Sequence, residues 1–167
     1  PMAFEALEWL QRLCDQAKKN GSQALVWTTP TQDLIELVKF NYMKKVIRTS
    51  NHGVVTIGTG EPKEINYKKI ASALAPDFVH SYDAAILKSS FKDWNQPITL
   101  IHDCLKVLPN DMDRALERIR KGFVHVCSGD PLARLADDLG VSEEQLPRLK
   151  QGTGNLVAVL DSAYIFN

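Results

Sequence analysis

The sequence has no long apolar run. Nothing in its 167 residues approaches the roughly 20 consecutive apolar positions a membrane span requires. A basic start followed by an apolar stretch is also missing, so neither a signal peptide nor a membrane partner is expected. Net charge is missing too: 20 Lys and Arg balance 20 Asp and Glu, which argues against a nucleic-acid protein that works by bulk charge. Cysteine is scarce. Cys14, Cys104 and Cys127 are an odd number, lie far apart and never fall in a C-x-x-C pair, which excludes a disulfide framework and a zinc site. A reducing cytosol fits these thiols best, each acting as a small core residue. Internal repeats and low-complexity tracts are absent. What remains is ordinary globular material, 44% hydrophobic and 24% charged, enough for one packed domain.

Charge is neutral only on average. Residues 39–70 carry seven basic side chains (Lys39, Lys44, Lys45, Arg48, Lys63, Lys68, Lys69) against Glu61 and Glu64, whereas residues 103–167 carry ten acids against eight bases. A basic segment inside a neutral chain either follows a phosphate backbone or is a solvated face.

Hydrophobic spacing predicts an α+β fold, packed by helices around short antiparallel strands. Phe4, Leu7, Leu10, Cys14 and Ala17 recur at helical steps up to the Asn20-Gly21 stop. Ala24–Trp27 reads as a short strand punctuated at Thr29-Pro30. Residues 34–40 and 44–49 read as extended, Asn51-His52-Gly53 as a turn, Val54–Ile57 as the returning strand and 58–62 as a loop. A helix is expected from about residue 64 to Ala75-Pro76, and a second from Asp77 to Trp94 with Val79, Ala84, Leu87 and Phe91 on its face. Ile98–Ile101 and Leu105–Leu108 read as a hairpin. Residues 111–127 read as a helix striped by Met112, Leu116, Ile119 and Phe123. Two short helical stretches follow, then Gly152-Thr153-Gly154 and an apolar end.

Two runs carry chemistry. In Ile98–Leu108, His102 and Asp103 fall at the turn between two apolar strands. A carboxylate at a hairpin tip suits magnesium, which takes hard oxygen ligands and keeps several waters, though Asp is also a common turn residue. His102-Asp103-Cys104 is not a catalytic triad, because consecutive residues of an extended chain point to alternating sides. In Leu74–Ala85, His80 and Asp83 are three apart and share a helix face. A different class of reading is a helix-turn-helix DNA-binding module over residues 132–146, ending its first helix at Gly140 and capping the next with Ser142 and Gln145. Glu143-Glu144 and Pro147 disfavour its second helix as a groove reader; an ordinary helical corner is the simpler reading.

Taken together, three motifs in order resemble the C-terminal part of single-subunit, phage-type DNA-directed RNA polymerases, a family that includes the mitochondrial enzyme. They are Val26-Trp27-Thr28-Thr29-Pro30, the run Leu-Ala-Pro-Asp-Phe-Val-His-Ser-Tyr-Asp over 74–83, and Leu-Ile-His-Asp-Cys over 100–104. The end, Gly152–Leu156 followed by 160–167, is similar to the family's Gly-Asn-Leu segment and terminal aromatic foot.

The resemblance implies a small antiparallel palm sheet with a motif C hairpin, a foot over about 150–167, and the 167 residues as a palm-type fragment. It implies that Asp103 is the second catalytic aspartate and a magnesium ligand in a two-metal site, and that His102 helps to place the RNA 3′ end. It implies that His80 contacts the primer–template minor groove, where a single donor senses pairing geometry. Lys44, Lys45 and Arg48 become candidate nucleic-acid contacts, and Tyr164, Phe166 and Asn167 belong to the foot. The implied partners are a DNA template, an RNA transcript and ribonucleoside triphosphates, in the cytosol of a host cell. The family's first palm aspartate and its nucleotide-handling fingers helix precede these motifs in family order and are not found here. The chain alone is therefore expected not to polymerise, and an upstream polymerase part or self-association is expected; a non-catalytic interaction or structural role is the alternative. The sequence departs from the family where a glycine usually follows Trp-x-Thr-Pro, with Thr31-Gln32-Asp33 instead, and where Leu105-Lys106-Val107 follow His-Asp-Cys.

Overall fold

In α1 (Met2–Lys19), Trp9, Leu10, Leu13, Cys14 and Ala17 form one buried stripe, while Phe4 and Leu7 point outward. The helix ends as expected: Gly21 takes φ +87°, and the Gly21 and Ser22 N–H groups return to the Lys18 and Ala17 carbonyls at 3.0 and 3.1 Å. This computed structural model describes residues 2–50, 53–101, 104–150, 152 and 154–162.

Among the described residues the strands pair as three two-stranded antiparallel sheets. β1 (Leu25–Thr28) pairs with β2 (Leu34–Leu37), Val26 opposite Glu36 and Trp27 opposite Ile35. β3 (Phe40–Thr49) pairs with β4 (Gly53–Ile65) from Phe40↔Ile65 to Thr49↔Gly53. β5 (Ile98–Ile101) pairs with β6 (Cys104–Val107). The structure has the α+β class and both hairpins read from the sequence, and adds the β1–β2 pair. The expected loop over 58–62 is instead part of β4. The register shifts between Tyr42↔Pro62 and Lys44↔Gly58, so the irregular Gly58–Pro62 stretch is absorbed as a bulge. Gly60 supplies the positive φ of +80° there, and the Thr59 hydroxyl donates to the Met43 carbonyl across it at 3.1 Å.

The two helices expected on either side of Pro76 are one, α2 (Tyr67–Phe91), which begins with the Asn66 side chain accepting the Lys69 N–H at 2.9 Å. Pro76 is exposed, and the buried stripe runs past it without a break. That stripe is Ile70, Leu74, Phe78, Ser81, Tyr82, Ala85, Ile86 and Ser90. Of the expected face, Val79 and Ala84 are exposed and Leu87 and Phe91 half-buried.

In α3 (Met112–Cys127) the buried residues are Ala115, Ile119, Gly122 and Val126. Ile119 was expected inside; Leu116 and Phe123 are half-buried, and Met112 is exposed. α2 and α3 touch closely at Gly122, where an added Cβ would lie 2.0 Å from Ser90 Oγ and 3.1 Å from the Ile86 carbonyl oxygen. α4 (Pro131–Asp138) is capped by the Asp130 carboxylate accepting the Ala133 N–H at 2.9 Å. It stops at Gly140 (φ +65°), whose successor Val141 returns its N–H to the Ala136 carbonyl at 2.9 Å. The following residues, 142–146, make a turn that buries Leu146, so the recognition helix of the DNA-binding alternative does not form. A short 3-10 stretch (Leu156–Asp161) packs on α3. The core joins α1, β1, α2, α3 and α4, with Leu13, Trp27, Ile70, Leu74, Val126, Leu135 and Val141 almost fully buried.

Candidate functional site

β1 brings Trp27 into the centre of this core, 1% exposed. A buried indole needs a partner for its N–H. Trp27 Nε1 donates to Ser81 Oγ of α2 at 3.1 Å, and Ser81 Oγ donates in turn to the Phe78 carbonyl at 2.7 Å. The Trp27 ring also meets Phe78, centroids 6.2 Å apart, and Phe78 meets Tyr82 at 4.8 Å. His80 lies among these anchored residues but on the exposed side of the helix, with Asp83 also exposed. The shared face expected for His80 and Asp83 is therefore a surface face.

The strand that carries Trp27 is fixed on both sides. Asp138 of α4 accepts the Thr28 N–H at 2.8 Å. Beyond it the chain turns through Thr29–Asp33: Thr29 N–H donates to the Asp33 carbonyl at 2.9 Å, and the Thr31 hydroxyl to the Asp33 carboxylate at 2.6 Å. The Asp33 carboxylate also pairs with Lys88 of α2. The Lys88 hydrogen bond, then that of Thr31, holds the Asp33 carboxyl below the usual aspartate range. Burial pushes the Tyr82 phenol up, against the opposing charge and hydrogen bond of Arg134. Next to this turn Thr28, Gln32, His125, Ser128, Arg134 and Asp138 line an open polar cleft of about 430 Å³.

The basic candidates sit elsewhere, on the β3–β4 hairpin. Lys44, Lys45 and Arg48 are all exposed. The strand period of two sets Lys44 and Arg48 on one face and Lys45 on the other, so the structure brings together two of the three. Val46, Ile47, Val54, Val55 and Ile57 are exposed on the same ribbon. At its base Asn41, Lys63, Glu64 and Lys69 surround a cleft of about 670 Å³.

His102 and Asp103, expected at the tip between β5 and β6, lie outside the described residues, as do Tyr164, Phe166 and Asn167 of the expected foot. The hairpin strands pair as expected, but with Ile101 opposite Cys104 the second strand begins one residue before the expected Leu105. Among the described residues no group of three or more His, Cys, Asp or Glu is placed to hold a metal ion. Of the three thiols, Cys14 is buried and Cys127 half-buried, but Cys104 is exposed at the start of β6, against the expectation that all three fill the core. Burial raises the pKa of both Cys14 and Cys127. No described helix is long and apolar enough to cross a membrane.

Trp27 and Ser81 stand in separate motifs of the sequence, with nothing local to join them. The available signal was a tryptophan in a short apolar strand, which requires an acceptor, and a lone hydroxyl within an apolar helical stripe. Asp33, Lys88 and Asp138 carried no comparable signal.

Comparison with known proteins bears on residues 3–153, which match a protein-family model described as DNA-dependent RNA polymerase. The chain is 34% identical to the DNA-directed RNA polymerase of Pseudomonas phage phiKMV, over 99% of the chain and 20% of that protein. It is 32% identical to T7 RNA polymerase of Escherichia phage T7, over 98% of the chain and 22% of that protein. It is 29% identical to DNA-directed RNA polymerase 3, chloroplastic, of Nicotiana sylvestris, over 92% of the chain and 16% of that protein. The chain thus spans about a fifth of the length of these relatives.

Proposed function

The chain belongs to the DNA-dependent RNA polymerase family, in its single-subunit phage, mitochondrial and chloroplast branch, and we propose that it contributes a C-terminal catalytic segment to template-directed ribonucleotidyl transfer in the cytosol. Its partners in this reading are the DNA template, the RNA transcript, ribonucleoside triphosphates and an upstream polymerase part, supplied by another polypeptide or by a longer chain. Self-association is the competing way to cover the open strand edges.

The observation that carries the reading is the family match over residues 3–153, a span that includes Trp27, His80 and Asp103. Within it Asp103 is the proposed magnesium ligand, His102 the residue that places the RNA 3′ end, and His80 a donor to the minor groove of the primer–template duplex. Lys44 and Arg48, on one face of an exposed ribbon, are suited to follow a phosphate backbone, with Lys45 on the opposite face. Tyr164, Phe166 and Asn167 complete the terminal foot. Magnesium, when bound, stabilises charge on the attacking 3′-oxygen and the leaving pyrophosphate. Asp103 can supply one carboxylate to such a site, and the second comes from the upstream part.

The division of labour is directly measurable. The purified 167-residue chain, given template, primer, magnesium and ribonucleotides, is expected to show no template-directed incorporation. Incorporation by this chain alone would contradict the need for an upstream part.

A further inference from the structure

His80 is an exposed side chain one turn beyond a proline. Pro76 has no N–H to donate to the carbonyl four residues earlier, so α2 lacks one of its own hydrogen bonds just where the roll of its second half must be set. A helix with a missing bond can bend or rotate there, and every degree of roll moves an outward side chain off its target. Something outside the helix has to fix the roll. The outward side offers little: Pro76, Asp83 and Ala84 are exposed, and Asp77 has only a loose, exposed pair with Lys39 at 4.0 Å.

The inward side supplies the fix. Phe78, Ser81 and Tyr82 bracket His80 and are all buried, at 7%, 8% and 8% exposure. Ser81 is bonded on both sides of its hydroxyl, to the Phe78 carbonyl within α2 and to the Trp27 indole across 54 residues of sequence. Trp27 cannot drift, since Asp138 holds the next backbone N–H and the Thr29–Asp33 turn is tied to α2 again at Lys88. A hydrogen bond is directional where apolar packing is not, so it sets an angle as well as a distance. We infer that Trp27 and Ser81 form a positioning latch that fixes the roll of α2 beyond Pro76 and so aims His80 at the nucleic acid. This rests on the reading of His80 as a nucleic-acid contact; Trp27 and Ser81 themselves touch no substrate.

The test uses the full chain and a fluorescein-labelled RNA–DNA hybrid duplex followed by anisotropy. An A-form duplex presents a wide, shallow minor groove, which a single side chain can reach. His80→Ala and Ser81→Ala are each expected to weaken binding about three- to tenfold, the range of one lost hydrogen bond. The double variant is expected to bind no more weakly than His80→Ala alone, because an aiming device has no effect once the aimed group is gone. In parallel, NMR exchange of the Trp27 indole proton is expected to be slow in the parent chain and fast in Ser81→Ala. Unchanged binding by Ser81→Ala, or a loss that adds in full to that of His80→Ala, overturns the positioning role. Fast indole exchange in the parent overturns the latch without any variant. Hybrid binding that is absent from the parent, or indifferent to His80→Ala, overturns the nucleic-acid reading itself and takes the inference with it.

Discussion

Gln32 has φ +64°, the one non-glycine at positive φ among the described residues. An L side chain there crowds its own backbone, a strain of about 1 kcal/mol or more. The strain is held by the bonds around it: Gln32 N–H to the Thr29 carbonyl at 2.9 Å, and the Asp33 N–H to the Thr29 hydroxyl at 3.1 Å. Gln32→Gly is expected to stabilise the chain by about 0.5–1 kcal/mol, as strain relief outweighs the added freedom of the unfolded glycine. A urea midpoint checks it; a lower midpoint would show that the glutamine side chain holds more than it strains. The sequence shows Thr31-Gln32-Asp33 where a glycine usually follows the Trp-x-Thr-Pro motif, but not that Gln32 takes a positive φ. Trp27 has the same limit. That it belongs in a core is legible from its strand; that its indole meets Ser81 is a long-range fact, which appears only once β1 and α2 pack.

At the scale of elements, α2 shows why local rules gave two helices where there is one. Pro76 is a strong stop signal by itself, yet the apolar stripe on either side of it is continuous, and tertiary packing of that stripe overrides the local cost. The same holds for the 58–62 stretch, where glycines and a proline read as a loop but pair as a bulged strand because β3 is long enough to hold them. Conversely, the turn at residues 142–146 has a capping pair, with Gln145 Oε1 accepting the Ser142 N–H at 3.1 Å, and still forms no helix. Leu146 is drawn into the core and Pro147 follows, its carbonyl taking the Trp9 indole N–H at 2.8 Å. The contact of α2 and α3 at Gly122 gives an element-scale test. Gly122→Ala places a methyl group 2.0 Å from Ser90 Oγ, and Ser90 is itself tied to the Ile86 carbonyl at 2.7 Å. Either Ser90 gives up its bond and rotates away or the helices part, and a loss of about 1–3 kcal/mol in thermal or denaturant unfolding is expected. An unchanged midpoint would show that α2 and α3 are not held at this distance.

At the scale of the whole molecule, neutrality conceals an exposed ribbon carrying basic groups. The chain spans about a fifth of its relatives, and it leaves apolar surface uncovered on α1 (Phe4, Leu7), on the β3–β4 ribbon and on β5 (Leu100, Ile101). Exposed apolar surface of this kind is commonly an interaction surface, which fits the proposed upstream part. The family and the α+β class were legible because motif order and hydrophobic period are local properties of a sequence. The proposed two-metal site would not be local, since in that reading its carboxylates come from distant segments. The most direct test of the catalytic reading replaces the matching C-terminal fifth of the phage phiKMV polymerase with this chain and measures magnesium-dependent, template-directed ribonucleotide incorporation. The chimera is expected to incorporate ribonucleotides, and Asp103→Asn to lower the rate by at least about 10³-fold, the scale of a lost metal-held charge stabilisation. A chimera whose incorporation is indifferent to Asp103→Asn, or one that folds and binds template yet never incorporates, would contradict it.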